Sequence, residues 1–206
     1  MLDVVEKARF VWTFLRLTRD PNRLDLVFKL ADGLDPSRRP EVQKMMARPE
    51  VRRALDAGVP VPRIDLPTLR ALPEDSFGRA VAAFFDRQGF DPTGLHHTPL
   101  SEGSDFERFK LHMERTHDLW HVLTGFDTDV PGELGLQAFG IAQLGTPLGY
   151  VLLAAGFLHQ IGDSTDGERL LAEVSRGWHL GRTARPLFGA DWEPLFPRPL
   201  AEVRAR

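Results

Sequence analysis

The stretch SDFERFKLHMERTHDLWHVLTGFDTDVPGE, residues 104–133, indicates which kind of secondary structure this chain forms. Ser104 followed by Glu107 is a capping-box pattern, in which the two side chains satisfy free amides at the start of a helix. Gly125 is the residue type that commonly ends a helix, because glycine adopts the left-handed conformation without strain. These signals predict one long helix that begins after Ser104 and runs to Gly125.

Helix signals recur on the N-terminal side of this stretch, whereas the alternating apolar and polar runs of β-strands do not occur. Asp20-Pro21 predicts an N-cap followed by the first helical residue, and Pro40 and Pro49 predict two further helix starts. Phenylalanines at helical spacing from Phe77 onward predict another helix, which ends at Gly89.

Two other N-terminal segments complete this interpretation. Residues 1–20 predict an amphipathic helix, and the three prolines of VPVPRIDLP, residues 59–67, predict an extended linker across the surface. We therefore predict an all-α fold, in which residues 1–206 form a single-domain helical bundle with a few long loops.

The stretch after Glu133 is apolar. Residues 134–161 contain no charged residue, but Thr146-Pro147 divides them into two pieces. Each piece is shorter than the roughly 20 residues that a membrane-spanning helix requires. We therefore predict two buried helices, which could also line a pocket for an apolar ligand.

The composition excludes several classes of function. The 206 residues include no cysteine, so disulfides, thiolate catalysis and cysteine-based metal sites are excluded. The net charge of -3 gives no basic excess, and we expect no nucleic-acid partner. Any metal must be held by histidine and carboxylate side chains.

Such side chains are concentrated near the end of the long predicted helix. At roughly 100° per residue, His117, Asp118 and His121 occupy one arc of the helix, and the two histidines are about 40° apart. A turn at Gly125 and Pro131-Gly132 would allow Glu133 to return to them. Two imidazoles and two carboxylates suit Zn²⁺, and Fe²⁺, Mn²⁺ and Co²⁺ are acceptable alternatives.

The same residues have a plainer interpretation, which the sequence leaves open. Histidines at i and i+4 often pair with neighbouring carboxylates and bind no ion. Asp127 and Asp129 are predicted to cap the loop, with a magnesium–diphosphate site as the alternative. His159 is predicted to be a core or cap residue.

The motif itself resembles that of a known family. His117-Asp118-Leu119-Trp120-His121, followed after eleven residues by Glu133, is similar to the hallmark of the coenzyme Q (ubiquinone) biosynthesis protein 4 family. Segments elsewhere also resemble that family, including DPNRLDLVFKLAD at 20–32, GELGLQAF at 132–139 and the closing GRTARPLFGADWE. The resemblance extends over nearly the whole chain.

This resemblance implies an all-α fold and a divalent metal, most simply zinc, held by His117, Asp118, His121 and Glu133. The implied activity is oxidative decarboxylation of a polyprenylated hydroxybenzoate, in which the C1 carboxylate is replaced by a hydroxyl. The implied partners are prenyl lipids and other ubiquinone biosynthesis proteins, together with a homodimer and peripheral membrane contact. Residues 134–161 would shelter the isoprenoid tail.

Two alternatives to this metalloenzyme remain. The first is a non-catalytic prenyl-lipid-binding scaffold that organises ubiquinone biosynthesis enzymes and holds a structural metal. The second is a metallohydrolase of the HD class, which would use His117-Asp118 with His96, His97 and Asp163. That class would leave His121 and Glu133 without a role.

The N-terminal residues also carry an expectation about location. Asp3 and Glu6 precede the apolar part of the segment and no cleavage pattern is present after it, which is unlike a secretory signal. We also find no mitochondrial presequence. We therefore expect a bacterial relative that is cytoplasmic, with contact to the inner face of the cell membrane.

Overall fold

The computed structural model of the chain describes residues 4–21, 23–33, 39–59, 61–89, 92, 103–162 and 167–205. Eleven α-helices and the 3₁₀ helix Glu193–Leu195 lie within these residues, which contain no β-strand. The α-helices are α1 Val4–Arg19, α2 Leu24–Asp32, α3 Pro40–Met46, α4 Pro49–Asp56, α5 Leu66–Arg70, α6 Phe77–Gln88, α7 Asp105–Thr124, α8 Val130–Leu144, α9 Pro147–Gly162, α10 Gly167–Thr183 and α11 Leu200–Arg204. The all-α prediction is confirmed.

The chain divides into two compact units. The first comprises Met1–Arg48 and Phe126–Ala184, and the second comprises Pro49–Gly125 and Arg185–Arg206. The single domain expected for residues 1–206 stays a prediction.

The core of the first unit is built from α1, α2, α8, α9 and α10. Its buried side chains are aliphatic and include Leu17, Leu26, Leu30, Leu134, Leu152, Ala155 and Leu170. The uncharged stretch forms two helices, α8 and α9, as the break at Thr146-Pro147 predicts. The prediction that both are buried is wrong for α9, because Tyr150, Leu158 and Ile161 are exposed on its outer face. No helix of the described residues has the length and the apolar character required to span a membrane.

Helices α8 and α10 lie unusually close together, because glycines line the surface where they meet. A β-carbon added to Gly177 of α10 would stand 2.0 Å from the carbonyl oxygen of Gly135 in α8. A β-carbon on Gly181, one turn later, would stand 2.6 Å from the carbonyl oxygen of Phe139. The two backbones are therefore in direct contact, and α10 fixes the position of α8.

The core of the second unit is largely aromatic. Phe77 at the start of α6 packs against Trp192 and Phe196, with ring centroids 6.0 and 5.8 Å apart, and Phe109 of α7 packs against Phe188 at 4.8 Å. The amide of Phe77 also donates to the carbonyl oxygen of Arg198. The segment after residue 184 therefore completes the core around α6 and α7.

Three other details differ from the sequence-based predictions. Helix α2 begins after Arg23 rather than at Pro21, because the chain first makes a turn in which the amide of Arg23 donates to the carbonyl oxygen of Asp20. The linker 59–67 buries Val59 and Ile64, so it contributes to the core rather than only crossing the surface.

The third difference concerns Glu133. Pro131 and Gly132 belong to the first turn of α8, which begins at Val130, so the reversal of the chain occurs at residues 125–129. Glu133 is therefore held by helical backbone rather than by a loop.

Candidate metal centre

Helix α7 carries both histidines of the motif and is well defined at its start. Ser104 and Glu107 make the predicted capping box, in which the Glu107 carboxylate accepts from the Ser104 amide at 2.7 Å. The Ser104 hydroxyl accepts from the Glu107 amide at 3.3 Å. The motif lies near the other end of this helix.

His121 is a core residue as well as a candidate ligand. Its side chain is 1% exposed, and its ring stacks on Phe84 of α6 with centroids 5.8 Å apart. His117, one turn earlier, is 35% exposed at its side chain, and its ring stands edge-on to that of His121 at 4.7 Å. Packing therefore fixes the orientation of His121, whereas His117 lies near the surface.

The C-terminal turn of α7 is held by the backbone and by one arginine. The amide of Gly125, in the left-handed conformation, donates to the carbonyl oxygen of His121 at 2.8 Å. Arg204 of α11 donates to the carbonyl oxygens of Val122 and Leu123, both at 2.9 Å. These carbonyls have no intrahelical partner, so Arg204 supplies the donors that they require.

Helix α8 supplies the third candidate ligand from its first turn. Asp129 is the N-cap residue, and its carboxylate accepts from the amide of Gly132 at 3.0 Å. The carbonyl oxygen of Asp129 accepts from the amide of Glu133 at 2.8 Å. The loop-capping role predicted for Asp129 is confirmed.

The structure brings His117, His121 and Glu133 together. Each offers one ligand atom, and these atoms all lie within 4.8 Å of one another. Asp118 stands beside this group, with Oδ1 3.6 Å from Nδ1 of His117. Three of the four predicted ligands therefore converge, and the fourth contacts one of them.

The donors fit a divalent transition metal ion. Two imidazole nitrogens and a carboxylate oxygen are ligands that Zn²⁺, Fe²⁺, Mn²⁺ and Co²⁺ accept. Bonds of about 2.0–2.2 Å place neighbouring ligand atoms of a tetrahedral site roughly 3.4 Å apart, so the donors need to approach by about an ångström. Side-chain rotation at the partly exposed His117 and Glu133 can supply that movement.

Two other histidines within the described residues have structural contacts. His112 is fully buried, accepts from the amide of Gly189 through Nε2 at 3.0 Å and packs edge-on against Phe188. His159 lies with Nδ1 3.0 Å from the carbonyl oxygen of Thr18, in agreement with the predicted core or cap role. His96, His97 and Asp163, which the HD-class alternative needs, lie outside the described residues.

Sequence reasoning missed the residues that support the ligands. Phe84 and Arg204 lie far from the motif along the chain and carry no local signal that relates them to it. Arg115, in contrast, is close to the motif. Its partial burial lowers the pKa of its guanidinium, which remains charged at neutral pH.

Comparisons with known proteins give one consistent result. The family model described as "Coenzyme Q (ubiquinone) biosynthesis protein Coq4" matches residues 10–206. A mitochondrial ubiquinone biosynthesis protein coq4 of Aspergillus flavus is 28% identical over 183 residues, which cover 86% of this chain and 59% of that protein. The corresponding Pyricularia oryzae protein is 26% identical over 200 residues, which cover 94% of this chain and 64% of that protein.

A solved structure shows the same fold. A "putative ubiquinone biosynthesis protein" from Nostoc punctiforme superposes with a TM-score of 0.79 at 28% identity, over 97% of this chain and 96% of that one.

The lengths of these relatives show how much of each one the chain matches, and their names correct the predicted location. The chain spans about 60% of the length of the fungal relatives. The prediction of a cytoplasmic protein at the cell membrane is contradicted, because the fungal relatives and one from Culex quinquefasciatus are named as mitochondrial proteins.

Proposed function

The chain belongs to the coenzyme Q (ubiquinone) biosynthesis protein Coq4 family, and from that premise we propose that it is a metal-dependent protein of ubiquinone biosynthesis. We propose that its reaction is oxidative decarboxylation of a polyprenylated hydroxybenzoate, in which the C1 carboxylate is replaced by a hydroxyl. The observation that carries this proposal is the convergence of His117, His121 and Glu133 to within 4.8 Å.

The proposed ligand set is His117, Asp118, His121 and Glu133. Three members converge in the structure, and the fourth, Asp118, lies with Oδ1 3.6 Å from Nδ1 of His117. The buried ring of His121 is the fixed point of this set, because its stacking on Phe84 leaves little rotational freedom. Pre-organised ligands of this kind lower the cost of ordering a site when it binds.

A bound divalent ion would act as a Lewis acid toward the carboxylate or phenolic oxygen of the substrate. The exchange of CO₂ for a hydroxyl removes two electrons from the ring, so dioxygen or another oxidant must be a co-reactant. The role of this chain's residues in that exchange is to bind and orient the aromatic acid.

The apolar helices suit a prenylated substrate. Helices α8 and α9 carry no charged residue between 134 and 161. Within α9, the side chains of Tyr150, Phe157 and Leu158 are 57%, 38% and 47% exposed. We propose that such apolar surface covers the isoprenoid tail, whose transfer from water is favourable in proportion to the area buried.

The proposed metal site is tested first by elemental analysis of the purified protein. We expect about one zinc or iron per chain in the wild type and a loss of that metal in Glu133→Ala. Glu168→Ala is the matched control, since Glu168 also lies in the first turn of a helix, α10, and is exposed. No metal in the wild type, or full metal in Glu133→Ala, would contradict the site.

The scaffold alternative differs from the enzyme in one property of the ion. A structural ion with all four protein ligands bound is saturated, whereas a catalytic ion keeps an exchangeable position. Protein loaded with Co²⁺ should change its visible absorption when a prenylated hydroxybenzoate is added, and mass spectrometry should detect the hydroxylated, decarboxylated product. An unchanged spectrum and no product would favour the scaffold.

A further inference from the structure

The connection between the two ligand-bearing helices is held by an arginine from a third helix. Arg169 of α10 donates through Nη1 to the carboxylate of Asp129 at 2.5 Å and through Nη2 to that of Asp127 at 3.4 Å. Both aspartates belong to the segment 125–129 that joins α7 to α8. A single guanidinium therefore ties this segment to α10.

Asp129 connects Arg169 to the backbone of the proposed ligand Glu133 through hydrogen bonds. One oxygen of its carboxylate receives Arg169, while the other accepts from the amide of Gly132, and its carbonyl oxygen accepts from the amide of Glu133. The orientation of Asp129 thus determines where the first turn of α8 begins. Glu133 lies in that turn.

The segment has little room to adopt another arrangement. A β-carbon on Gly132 would stand 2.2 Å from the carbonyl oxygen of Asp127, so the start of α8 lies directly against the backbone of the connection. A different path of this segment would have to separate these two backbones. Two independent features therefore hold Glu133: the glycine contact and the arginine.

We infer that Arg169 is a positioning residue for the metal ligand Glu133, acting through Asp129. This inference rests on the proposed metal site, which it deepens by assigning a residue that fixes one of its ligands. Arg169 is 42% exposed and Asp129 is 45% exposed at the side chain, so their ion pair contributes little to global stability. The ion pair instead acts on the local geometry of α8.

The direction of the effect separates positioning from simple electrostatics. Replacement of Arg169 by glutamine removes a positive charge and leaves two aspartates uncompensated, which by itself would attract a cation and tighten metal binding. Loss of the positioning contact instead weakens binding, because residues that orient metal ligands typically contribute about 10–100-fold to affinity. We expect the second effect to dominate.

The experiment is a Co²⁺ titration of the full chain, monitored by visible absorption. Arg169→Gln should weaken Co²⁺ binding about tenfold. The Co²⁺ affinity of Arg169→Lys should lie between those of Arg169→Gln and the wild type, because lysine keeps the charge but lacks the planar guanidinium. Asp129→Asn keeps an effective N-cap residue while it weakens the arginine contact, and should match Arg169→Gln. The double variant should be no weaker than the weaker single variant, since both changes break one contact.

Arg70→Gln is the matched control. Arg70 pairs with Asp86 at 2.5 Å with side chains 48% and 46% exposed, so the pair has nearly the same distance and exposure but is remote along the chain from the connection. We expect this variant to bind Co²⁺ as the wild type does. Binding by Arg169→Gln that equals or exceeds that of the wild type would overturn the inference.

A second measurement separates this inference from the proposed function. Amide hydrogen exchange at residues 132–134 reports the order of the first turn of α8 without any metal. Arg169→Gln should accelerate exchange there and leave exchange in α6 unchanged. If the wild type binds no Co²⁺, the proposed metal site fails, and unchanged exchange in Arg169→Gln would then overturn the positioning role as well. If Arg169→Gln does not fold, the same two measurements on Asp129→Asn test the positioning role.

Discussion

His121 has two roles, one in the core and one in the candidate metal group. Its side chain is 1% exposed and stacks on Phe84, so it contributes to the core, and its ring also faces His117 and contributes to the candidate metal group. The i and i+4 spacing predicted the pairing of the two imidazoles. Nothing in the motif predicted the aromatic ring beneath one of them, because Phe84 reaches it only in the folded chain.

Replacement of His121 by alanine should abolish metal binding and lower the free energy of unfolding by about 2–4 kcal/mol, since it leaves a cavity against Phe84. Circular dichroism should show that helical content is retained, and elemental analysis should show the metal lost. His179→Ala, which removes an exposed histidine of α10, is the control and should change neither quantity. Full metal content in His121→Ala would remove this residue from the ligand set.

At the scale of elements, the contact between α8 and α10 determines how precisely Glu133 is held. Gly135 of α8 and Gly177 and Gly181 of α10 allow the two backbones to touch. A helix that carries a metal ligand must be fixed to within a fraction of an ångström, and rigid backbone contact achieves this better than flexible side chains.

Gly177→Ala tests this contact. Helix propensity alone would favour alanine by about 1 kcal/mol, but the added methyl group would stand 2.0 Å from a backbone oxygen. We therefore expect a net destabilisation of about 2 kcal/mol in urea unfolding.

The control for this prediction lies in the same helix. A β-carbon on Gly167 would meet Gln160 at 3.7 Å, which is an ordinary contact. Gly167→Ala should therefore leave the free energy of unfolding unchanged or raise it slightly. Equal stability of the two variants would refute the close-contact argument.

The start of α7 depends on charge. Arg52 and Arg108 both donate to the carboxylate of Asp105, the first residue of the helix, and the hydrogen bond from Arg52 is the main cause that lowers the pKa of Asp105. A folded-state pKa below the unfolded value of 3.8 means that this carboxylate stabilises the fold fully above that value. The stabilisation is lost as the pH falls through the lower folded value.

Asp105→Asn should therefore lower the melting temperature at neutral pH and reduce its decline in acid below about pH 4. Melting curves between neutral pH and about pH 3 would test both effects. Asp191→Asn, at an exposed position, controls for the loss of one negative charge. A parallel decline in Asp105→Asn and the wild type would show that the ion pairs do not contribute.

At the scale of the whole molecule, metal binding and folding should be linked. An ion that binds the folded chain and not the unfolded chain stabilises it by about 2.7 kcal/mol at a free concentration 100 times its dissociation constant. The melting temperature of the wild type should thus rise with Zn²⁺ and return after chelation. That of Glu133→Ala should not respond, and an equal rise in both proteins would indicate that Zn²⁺ binds elsewhere.

Local rules predicted much of the architecture, because adjacent residues mark the ends of several helices of this chain. The capping box at Ser104 and the left-handed glycines Gly89 and Gly125 act within one helical turn, and the structure confirms each of them. The start of α2 was mispredicted where a turn at Asp20 competed with the Asp-Pro signal.

The sequence by itself determined the helical class, the boundaries of α6 and α7 and the pairing of His117 with His121, since each depends on neighbours within a few residues. Only the tertiary structure decided that Glu133 lies in the first turn of α8, that Phe84 buries His121 and that Arg169 holds Asp129. The residues in the last two contacts are separated by 37 and 40 positions along the chain. Contacts over such distances depend on the packing of whole helices, which no local pattern specifies.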